Sequence, residues 1–313
     1  MGRRIRLNEE EMNLICEMRG HKLASYIKPK GYNTYRVRMS EQEYNALCQF
    51  RNTKAISGDV KVLIFDIETA PIKALVWSRW KQNIYLEQTI SEWFMLCWAA
   101  KWVGGEIMSD CLTPDEAIGE DDKRITKTLW YLFNEADIII AHNGSRFDVP
   151  KMNSRFAVHG LKPPTPYRQI DTKQVSAKQF GFSSNKLDAL AGYFGIRYKD
   201  KTDFELWVRC LKWEQEALDY MRKYNEGDVE ILEKVYFKLR PWIKNHPNLS
   251  LYIESDEEVC PFCGSHNLNE TGTFYYTQVS KFSNLRCADC DGIARRRVSE
   301  YPKSKRRNLV TAV

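Results

Sequence analysis

Two carboxylates follow directly after an apolar run in the stretch VLIFDIETAP, residues 62–71. The run predicts a buried strand, and because side chains alternate along a strand, Asp66 and Glu68 share one face. Two negative charges placed there repel each other and lose hydration. A bound divalent cation would stabilise such a pair, because it reverses the local charge balance.

Two later stretches again combine acidic side chains with the ends of predicted elements. In DIIIAHNGSRFDVPKM (137–152), an apolar strand and a glycine-containing loop precede Asp148, where a helix is predicted to begin. In YNEGDVEILEKVY (224–236), Tyr224 and Asp228 lie one turn apart on a predicted helix. In order, the chain reads Asp-x-Glu, Asn-x-x-x-Phe-Asp and Tyr-x-x-x-Asp.

This ordered set resembles the three motifs of the DEDD 3′–5′ exonucleases of the ribonuclease H-like superfamily. The likeness is to the tyrosine subtype (DEDDy), found in proofreading domains of family B DNA polymerases and in stand-alone, often phage-encoded exonucleases with a C-terminal zinc ribbon. It covers about residues 60–298. The resemblance implies a catalytic centre that binds two Mg²⁺ or Mn²⁺ ions. The implied metal ligands are Asp66, Glu68, Asp148 and Asp228, and Tyr224 completes the catalytic set by orienting the attacking water.

The expected substrate-binding side chains flank these carboxylates along the chain. The resemblance assigns contacts with the terminal nucleotide to Asn143 and Phe147, and Thr69 directly follows the first motif. Trp77 and Trp80 come next, where a separated nucleobase could stack on an aromatic ring. Burial in the core is the equally weighted alternative for both tryptophans.

Each motif taken alone also has a simpler interpretation. Asp-x-Glu is common, Asp148 could merely cap its helix, and Tyr-x-x-x-Asp occurs by chance in many helices. The ordered combination favours a nuclease site. A further carboxylate, Asp171 in QIDTKQV, is interpreted as a helix cap and not as a ligand.

Four of the nine cysteines form two Cys-x-x-Cys pairs separated by 23 residues. In a reducing compartment this spacing predicts one structural zinc site with four thiolates, and disulfides or unrelated thiols are the alternative. The predicted ligands are Cys260, Cys263, Cys287 and Cys290. The segment between the pairs is rich in Thr, Phe and Tyr, which favours a hairpin, and the whole resembles a zinc ribbon. Cys16 and Cys48 are expected in a core.

The first 58 residues contain an internal repeat. Residues 4–19 and 36–51 align without gaps, with seven identities in sixteen positions. Each copy predicts a short basic strand followed by a helix, capped by Asn8 or Ser40. The unit resembles half of a ribbon-helix-helix DNA-binding module, and a plain packing or partner-docking module is the alternative. In a two-stranded ribbon four arginines would point outward: Arg4, Arg6, Arg36 and Arg38.

The net charge of +6 is unevenly distributed along the chain. Residues 295–307 carry +6 and residues 1–58 carry +5, whereas residues 59–259 carry −4. This pattern predicts a polyanion bound at the periphery and metal cations in the centre. The predicted partner is nucleic acid, with single-stranded DNA or a DNA 3′ end favoured, and a replication or recombination protein is a further candidate.

Apolar strand patterns and helical periodicities alternate along the chain. Strands are predicted at 61–66, 94–103, 106–111, 137–141 and 167–170, and helices near 122–135, 147–159, 185–194 and 213–239. This order predicts an α/β fold, with a ribonuclease H-like mixed sheet flanked by helices. The expected domains are a duplicated strand-helix module (1–58), an exonuclease domain (59–245), a zinc ribbon (246–300) and a basic tail (301–313).

Composition excludes several other classes of protein. Apolar residues make up 43% and charged residues 28%, and no apolar run approaches the ~20 residues of a membrane span. The N-terminus lacks the apolar core of a signal peptide, so a cytoplasmic location is expected, in the host cytoplasm if a phage encodes the protein. Only 68 residues follow position 245, too few for a polymerase palm, so a stand-alone enzyme is expected.

The sequence is consistent with three functional hypotheses. The favoured one is a 3′–5′ exonuclease acting on DNA. The second is an RNA exonuclease or a structure-directed endonuclease. The third is a nucleic-acid-binding adaptor built on an inactive scaffold, against which the intact carboxylate set argues, because a scaffold gains nothing from uncompensated charge.

Overall fold

The computed structural model describes residues 3–7, 9–27, 35–40, 42–43, 60–196 and 202–311. The chain divides into two compact units. One is Asp59–Pro247, and the other combines Met1–Gly58 with Asn248–Val313. Among the helices of the described ranges, none has the length and apolar character needed to cross a membrane.

The N-terminal repeat forms an antiparallel two-stranded ribbon. Strand β1 (Arg3–Leu7) is followed by helix α1 (Glu9–Arg19), and strand β2 (Tyr35–Met39) pairs with β1. The register sets Arg4 opposite Arg38 and Arg6 opposite Arg36. Opposed residues of an antiparallel pair belong to one face, so the four arginine positions share a face, as predicted.

A small apolar core lies between this ribbon and α1. In β2, Tyr35, Val37 and Met39 are buried and the intervening arginines are exposed, which is the alternation of a half-buried strand. Cys16 is buried in the same cluster, as predicted. The Ser40 backbone N–H donates to the Glu43 carboxylate at 2.6 Å, as a capping box requires. The predicted cap Asn8 and core residue Cys48 lie outside the described residues.

A five-stranded mixed sheet forms the centre of the larger unit. Its strands are β3 (Val62–Thr69), β6 (Met95–Trp102), β7 (Ile107–Cys111), β8 (Ile138–Ala141) and β9 (Arg168–Asp171), and a separate pair is formed by β4 (Lys73–Ala74) and β5 (Thr89–Ser91). The order is β7-β6-β3-β8-β9, antiparallel from β7 to β3 and parallel from β3 to β9. All five predicted strands are therefore confirmed.

Seven helices are described around this sheet. They are α2 (Pro114–Ile118), α3 (Lys123–Glu135), α4 (Asp148–Val158), α5 (Thr172–Gln179), α6 (Leu187–Tyr193), α7 (Phe204–Leu211) and α8 (Gln215–Leu239). The four predicted helices are confirmed, and α5 is the helix that the cap Asp171 implies, although its bounds were not predicted, whereas α2 and α7 were not predicted. These three are short, so their apolar periodicity is weak evidence by itself.

The central strand β3 is covered on both faces. On one face the ring of Phe65 packs edge-on against Phe133 of α3, with ring centroids 4.7 Å apart. On the other face, residues of α8 contact β3 where Asp66 and Glu68 project. Burial on both faces explains why β3 and β8 are continuous apolar runs without alternation.

The C-terminal part of the second unit contains a three-stranded antiparallel sheet. Its strands are β10 (Leu268–Tyr276), β11 (Lys281–Cys287) and β12 (Ile293–Arg295), and α9 (Lys303–Arg307) follows. We call the three strands the C-terminal sheet. The hairpin predicted between the cysteine pairs is therefore confirmed.

Candidate active site

Three carboxylates from β3 and α8 converge at the end of the central strand. Ligand oxygens of Asp66, Glu68 and Asp228 all lie within 4.8 Å of one another, and the three side chains are half-buried. β3 supplies two of them because they are two residues apart, and α8 brings the third across the face of the sheet. Negatively charged oxygens that remain accessible in a cleft are suited to hard divalent cations.

The fourth carboxylate, Asp148, lies beside this group at the first position of α4. Its side chain is buried, and the backbone N–H groups of Asp148 and Ile67 lower its pKa against the larger effect of burial. It does not belong to the group of three within 4.8 Å, yet its charge raises the pKa of both Asp66 and Glu68. The fold therefore gathers all four predicted carboxylates in one region.

The carboxylates hold their protons more tightly than isolated acids do. Burial, followed by the charges of Asp228 and Asp148, raises the pKa of Glu68 to about 8. Burial also raises the pKa of Asp148 to about 7, and burial with the three neighbouring carboxylates raises the pKa of Asp66 well above its usual value. The cluster thus has more negative charge than the protein around it compensates, and it must bind protons or cations.

One contributor to the site was missed by the sequence reading. The Asn225 side chain of α8 is buried and donates from Nδ2 to Oδ2 of Asp66 over 2.6 Å. This bond favours the ionised form of Asp66 and fixes its orientation. The only available signal was a polar residue on the inner face of α8, beside Tyr224. Tyr224 itself is half-buried and lies one turn before Asp228.

The loop before α4 is held by the carboxylate of Asp171. Backbone N–H groups of Asn143 and Ser145 donate to it, each at 3.1 Å, and it also caps α5. Asn143 has φ +72°, and a Cβ on Gly144 would lie 2.5 Å from the Cβ of Ala141. The loop therefore depends on glycine and on an acidic cap, which confirms Asp171 as a cap and explains its position.

A cavity of about 460 Å³ is lined in part by Thr69, the residue that follows Glu68 at the end of β3. Trp93, Lys151 and Trp207 are among the side chains that line it. The Nζ of Lys151 lies 3.6 Å from the ring centroid of Trp93 and 5.0 Å from that of Phe147. Burial lowers the pKa of Lys151. Aromatic walls and a cation beside four carboxylates can accommodate an aromatic ring attached to a phosphate.

Trp77 and Trp80 lie elsewhere, on the arm between β4 and β5. They are 98% and 83% exposed and do not line the cavity. The Gln82 side chain donates to the Trp80 carbonyl at 2.9 Å, directly after Trp80. The alternative that they belong to the core is wrong for both residues.

The four paired cysteines form a second potential metal centre in the other unit. Sγ of Cys260 lies 3.6 Å from that of Cys290, and Sγ of Cys263 lies 3.6 Å from that of Cys287. Four sulfurs bound tetrahedrally to zinc at ~2.3 Å lie ~3.8 Å apart, so the donor set fits that ion. Hydrogen bonds from the neighbouring thiols lower the pKa of Cys287, which favours the thiolate that binds metal.

Comparison with known proteins places the larger unit in a superfamily. Residues 111–240 match the RNase_H_2 family of the RNase H superfamily, a segment that contains Asp148 and Asp228 and begins after β3. The unit therefore holds a ribonuclease H-like domain. Nucleases of this class act on nucleic acid with the help of divalent metals.

Two polymerases show weaker similarity to the chain. Over 165 residues it is 24% identical to the PolC-type DNA polymerase III of Ureaplasma parvum serovar 3, which covers 50% of this chain and 11% of that polymerase. The family B DNA polymerase of the hyperthermophilic archaeon Pyrobaculum calidifontis aligns with a TM-score of 0.43 and 19% identity, over 58% of this chain and 25% of that one. The chain thus spans about a tenth of the PolC-type polymerase and a quarter of the family B polymerase.

Proposed function

We propose that this protein is a metal-dependent 3′–5′ exonuclease that hydrolyses phosphodiester bonds of DNA. The observation that carries the proposal is the convergence of four carboxylates from three distant segments, where burial and neighbouring negative charge raise the pKa of Asp66 and Glu68. A fold maintains such repulsion only where a ligand compensates it. The ribonuclease H-like domain supports hydrolysis of nucleic acid as that function.

In this proposal two Mg²⁺ or Mn²⁺ ions bind between the carboxylates. The donor set fits them, because hard cations prefer carboxylate oxygens and the uncompensated charge favours their entry. The proposed ligands are Asp66, Glu68, Asp148 and Asp228. Two bound cations supply an activated water and charge stabilisation for the attacking and leaving oxygens of an in-line displacement.

The chain's own side chains orient the reacting groups. Asn225 fixes the Asp66 carboxylate by its 2.6 Å hydrogen bond. Tyr224 orients the attacking water through its hydroxyl, and Glu68 also contacts the 3′-hydroxyl end of the substrate. The base of the terminal nucleotide enters the cavity beside Thr69, where Lys151 can meet a phosphate oxygen.

Further contacts extend the substrate site beyond the terminal nucleotide. Asn143 and Phe147 contact that nucleotide from the loop before α4. The exposed Trp77 and Trp80 would stack bases further along the strand, at about 1–3 kcal/mol per base. The 1–58 module and the C-terminal tail are assigned accessory roles in binding nucleic acid.

The second metal centre is proposed as one structural zinc ion. Its ligands are Cys260, Cys263, Cys287 and Cys290, which closes all four positions with protein sulfur and leaves none for a reaction. The C-terminal sheet is then a zinc ribbon. Its role is to maintain the fold of this part of the chain, not to take part in hydrolysis.

End-labelled oligonucleotides test the proposed activity. A 5′-labelled DNA strand should shorten from its 3′ end in Mg²⁺ or Mn²⁺, and cleavage should stop with a chelator. A 3′-terminal phosphorothioate should slow the first step, and RNA of the same sequence should be cleaved more slowly. The Asp66→Asn variant should be inactive, and Glu106→Gln, which changes an exposed carboxylate in the same unit, should act normally.

Other patterns of products would contradict the proposal and support a different function. Faster cleavage of RNA would identify an RNA exonuclease, and internal fragments from branched DNA would identify a structure-directed endonuclease. Binding without cleavage under every metal condition would identify an adaptor.

A further inference from the structure

The strand register separates the side chains of the C-terminal sheet into two faces. Tyr275 pairs with Phe282, Asn284 with Arg295, and Arg286 with Ile293. Opposed residues share a face and alternate residues along a strand do too, so these six positions form one face. We call it the outer face. The hydrogen bond from Asn284 Nδ2 to Thr273 Oγ1, 3.0 Å, agrees with this assignment.

The opposite, inner face carries packing and an ion pair near the cysteines, whereas at the hairpin end its Phe274 and Tyr276 are exposed. Leu285 and Cys287 lie on it and are buried, and Cys287 belongs to the cysteine cluster, against which Ala294 packs. The acidic side chain in β10, Glu270, also belongs to it and forms an ion pair with Arg296. The packing and the negative charge of the sheet are therefore on its inner face.

The outer face combines exposed aromatic rings with arginine. Tyr275 is 51% exposed, and its ring centroid lies 5.2 Å from the guanidinium carbon of Arg295. The same guanidinium lies over the ring of Phe282 at 4.1 Å. Arg286 and Ile293 are exposed beside them. At the outer positions of the three described strands there is no Asp or Glu, so this face has a net positive charge.

This combination fits one class of ligand. An exposed phenol ring and a guanidinium held over a phenylalanine ring are groups on which nucleobases stack irrespective of sequence. Unopposed arginines attract phosphates. An apolar protein partner would be expected to meet a less charged face, because charged residues are depleted at the centres of protein interfaces.

We propose that the outer face of the C-terminal sheet binds single-stranded nucleic acid. Bases stack on Tyr275 and on the plane formed by Arg295 over Phe282, and Arg286 meets the phosphates. The site belongs to a different unit from the four carboxylates, and the proposal does not require that they hydrolyse anything. It assigns a binding role to a part of the chain whose cysteines explain only its folding.

Fluorescence anisotropy with the full-length chain tests this site. The Asp66→Asn background prevents degradation, and the probes are a labelled 20-nucleotide DNA strand and an RNA strand of the same sequence. Tyr275→Ala should weaken binding about 5- to 100-fold, the range for one stacked base, and Tyr275→Phe should restore it. Arg295→Ala should weaken binding as well, and Arg286→Ala should reduce the salt slope by about 0.7, the value for one single-strand phosphate.

The matched control is Tyr276→Ala, which removes an adjacent tyrosine, 60% exposed, from the inner face of the same hairpin. It should leave affinity unchanged. A chain of abasic linkers should bind wild type and Tyr275→Ala equally, because it offers phosphates without bases. Circular dichroism must show unchanged folding for each variant.

Two results would overturn the inference. The first is equal affinity for Tyr275→Ala, Arg295→Ala and the Tyr276→Ala control. It would show that the outer face does not bind nucleic acid and would favour a protein partner there. The second is an equal loss with the abasic chain, which would exclude stacking. The two proposals can fail separately. If the wild-type chain does not hydrolyse DNA but Tyr275→Ala binds nucleic acid more weakly, the proposed exonuclease is refuted and this site is supported.

Discussion

At the scale of single residues, the carboxylates of the candidate active site lower the stability of the metal-free protein. Burial raises the pKa of Asp66, Glu68 and Asp148, and repulsion from neighbouring carboxylates in the cluster raises it further for Asp66 and Glu68. The free energy of unfolding is therefore reduced by charges that are useful only when cations are bound. Substitutions and changes of pH can each measure this loss of stability separately from activity.

Replacing Asp66 with asparagine should remove activity and stabilise the metal-free protein. The amide keeps an oxygen for the Asn225 hydrogen bond but removes one negative charge from the cluster. Activity should fall about 10³-fold, since several kcal/mol of transition-state stabilisation depend on bound metal. The free energy of unfolding should rise by about 1 kcal/mol or more, because one unit of pKa displacement corresponds to about 1.4 kcal/mol.

Urea denaturation with and without Mg²⁺ measures this stability change, and the exposed Glu106→Gln substitution is the control. A destabilised Asp66→Asn protein would contradict the electrostatic explanation.

The stability of the metal-free protein should depend on pH in an unusual direction. The folded pKa of Glu68 is about 8 against 4.5, and that of Asp148 about 7 against 3.8. Between these limits the native state binds protons that the unfolded state has released, so stability falls as pH rises from about 4.5 to 8. The slope is at most about 1.4 kcal/mol per pH unit for each group.

Thermal unfolding from pH 5 to 8 in chelator tests this dependence. Saturating Mg²⁺ should flatten the trend, because metal replaces the protons. Stability that rises with pH in chelator would show that other groups dominate.

The role of Asn225 can be tested by removing its side chain. Asn225→Ala leaves the four carboxylates in place but frees Asp66 from its 2.6 Å partner and opens a small cavity. Activity should fall about 10-fold or more, with a weaker apparent affinity for Mg²⁺, as for other changes beside a metal ligand. Titration of activity against Mg²⁺ measures this effect. Unchanged affinity would limit Asn225 to a packing role.

At the scale of elements, the C-terminal sheet has little core of its own. Its buried cluster consists mainly of Cys260, Cys263, Cys287 and Cys290, with Phe262. A Cβ on Gly292 would lie 2.6 Å from the Phe262 ring, so the turn after the last cysteine is tightly packed there. Apolar burial alone is small in such an element, and metal binding must supply most of its folding free energy.

Cys260→Ser should therefore release zinc and unfold the C-terminal sheet while hydrolysis in the other unit continues. Metal analysis of the reduced wild-type protein should give one zinc per chain, and the variant should give none. Cys111→Ser, outside the cluster, should retain zinc. Absence of zinc from freshly purified wild-type protein would contradict the assignment.

At the scale of the whole molecule, the basic C-terminal residues divide into two groups. Arg295 lies in β12, and Arg296 forms ion pairs with Glu258 and Glu270. A deletion from residue 295 would therefore damage the sheet. Arg297 follows Arg296 directly, and the remaining basic residues, all in α9, are Lys303, Lys305, Arg306 and Arg307.

Deleting residues 302–313 should weaken binding of nucleic acid most strongly at low salt. Each single-strand phosphate that the tail neutralises contributes about 0.7 to the slope of log affinity against log salt, so the slope should fall by up to about 3. Turnover at saturating substrate should not change, because the carboxylates lie in another unit. Anisotropy at several salt concentrations measures the slopes. Parallel lines for the full-length and shortened chains would show that the tail is inert.

The order of residues predicts the five strands of the larger unit, four of its helices, and the acidic and cysteine side chains that could bind metal. Long apolar runs such as β3 and β8 predict buried strands, and the i, i+2 and i, i+4 spacings predict shared faces. The two Cys-x-x-Cys pairs likewise predict one cluster, because four thiols at that spacing can close around one ion. These inferences depend on local geometry, which the chain carries in its order of residues.

The tertiary structure alone decided which distant residues meet. Asn225 and Asp66 are 159 positions apart, and no local pattern shows that α8 places one against the other. The outer face of the C-terminal sheet likewise exists only because the register sets Phe282 beside Tyr275 and Asn284 beside Arg295. Packing across a sheet and pairing between strands join residues through space, and that information is absent from the spacing of neighbours along the chain.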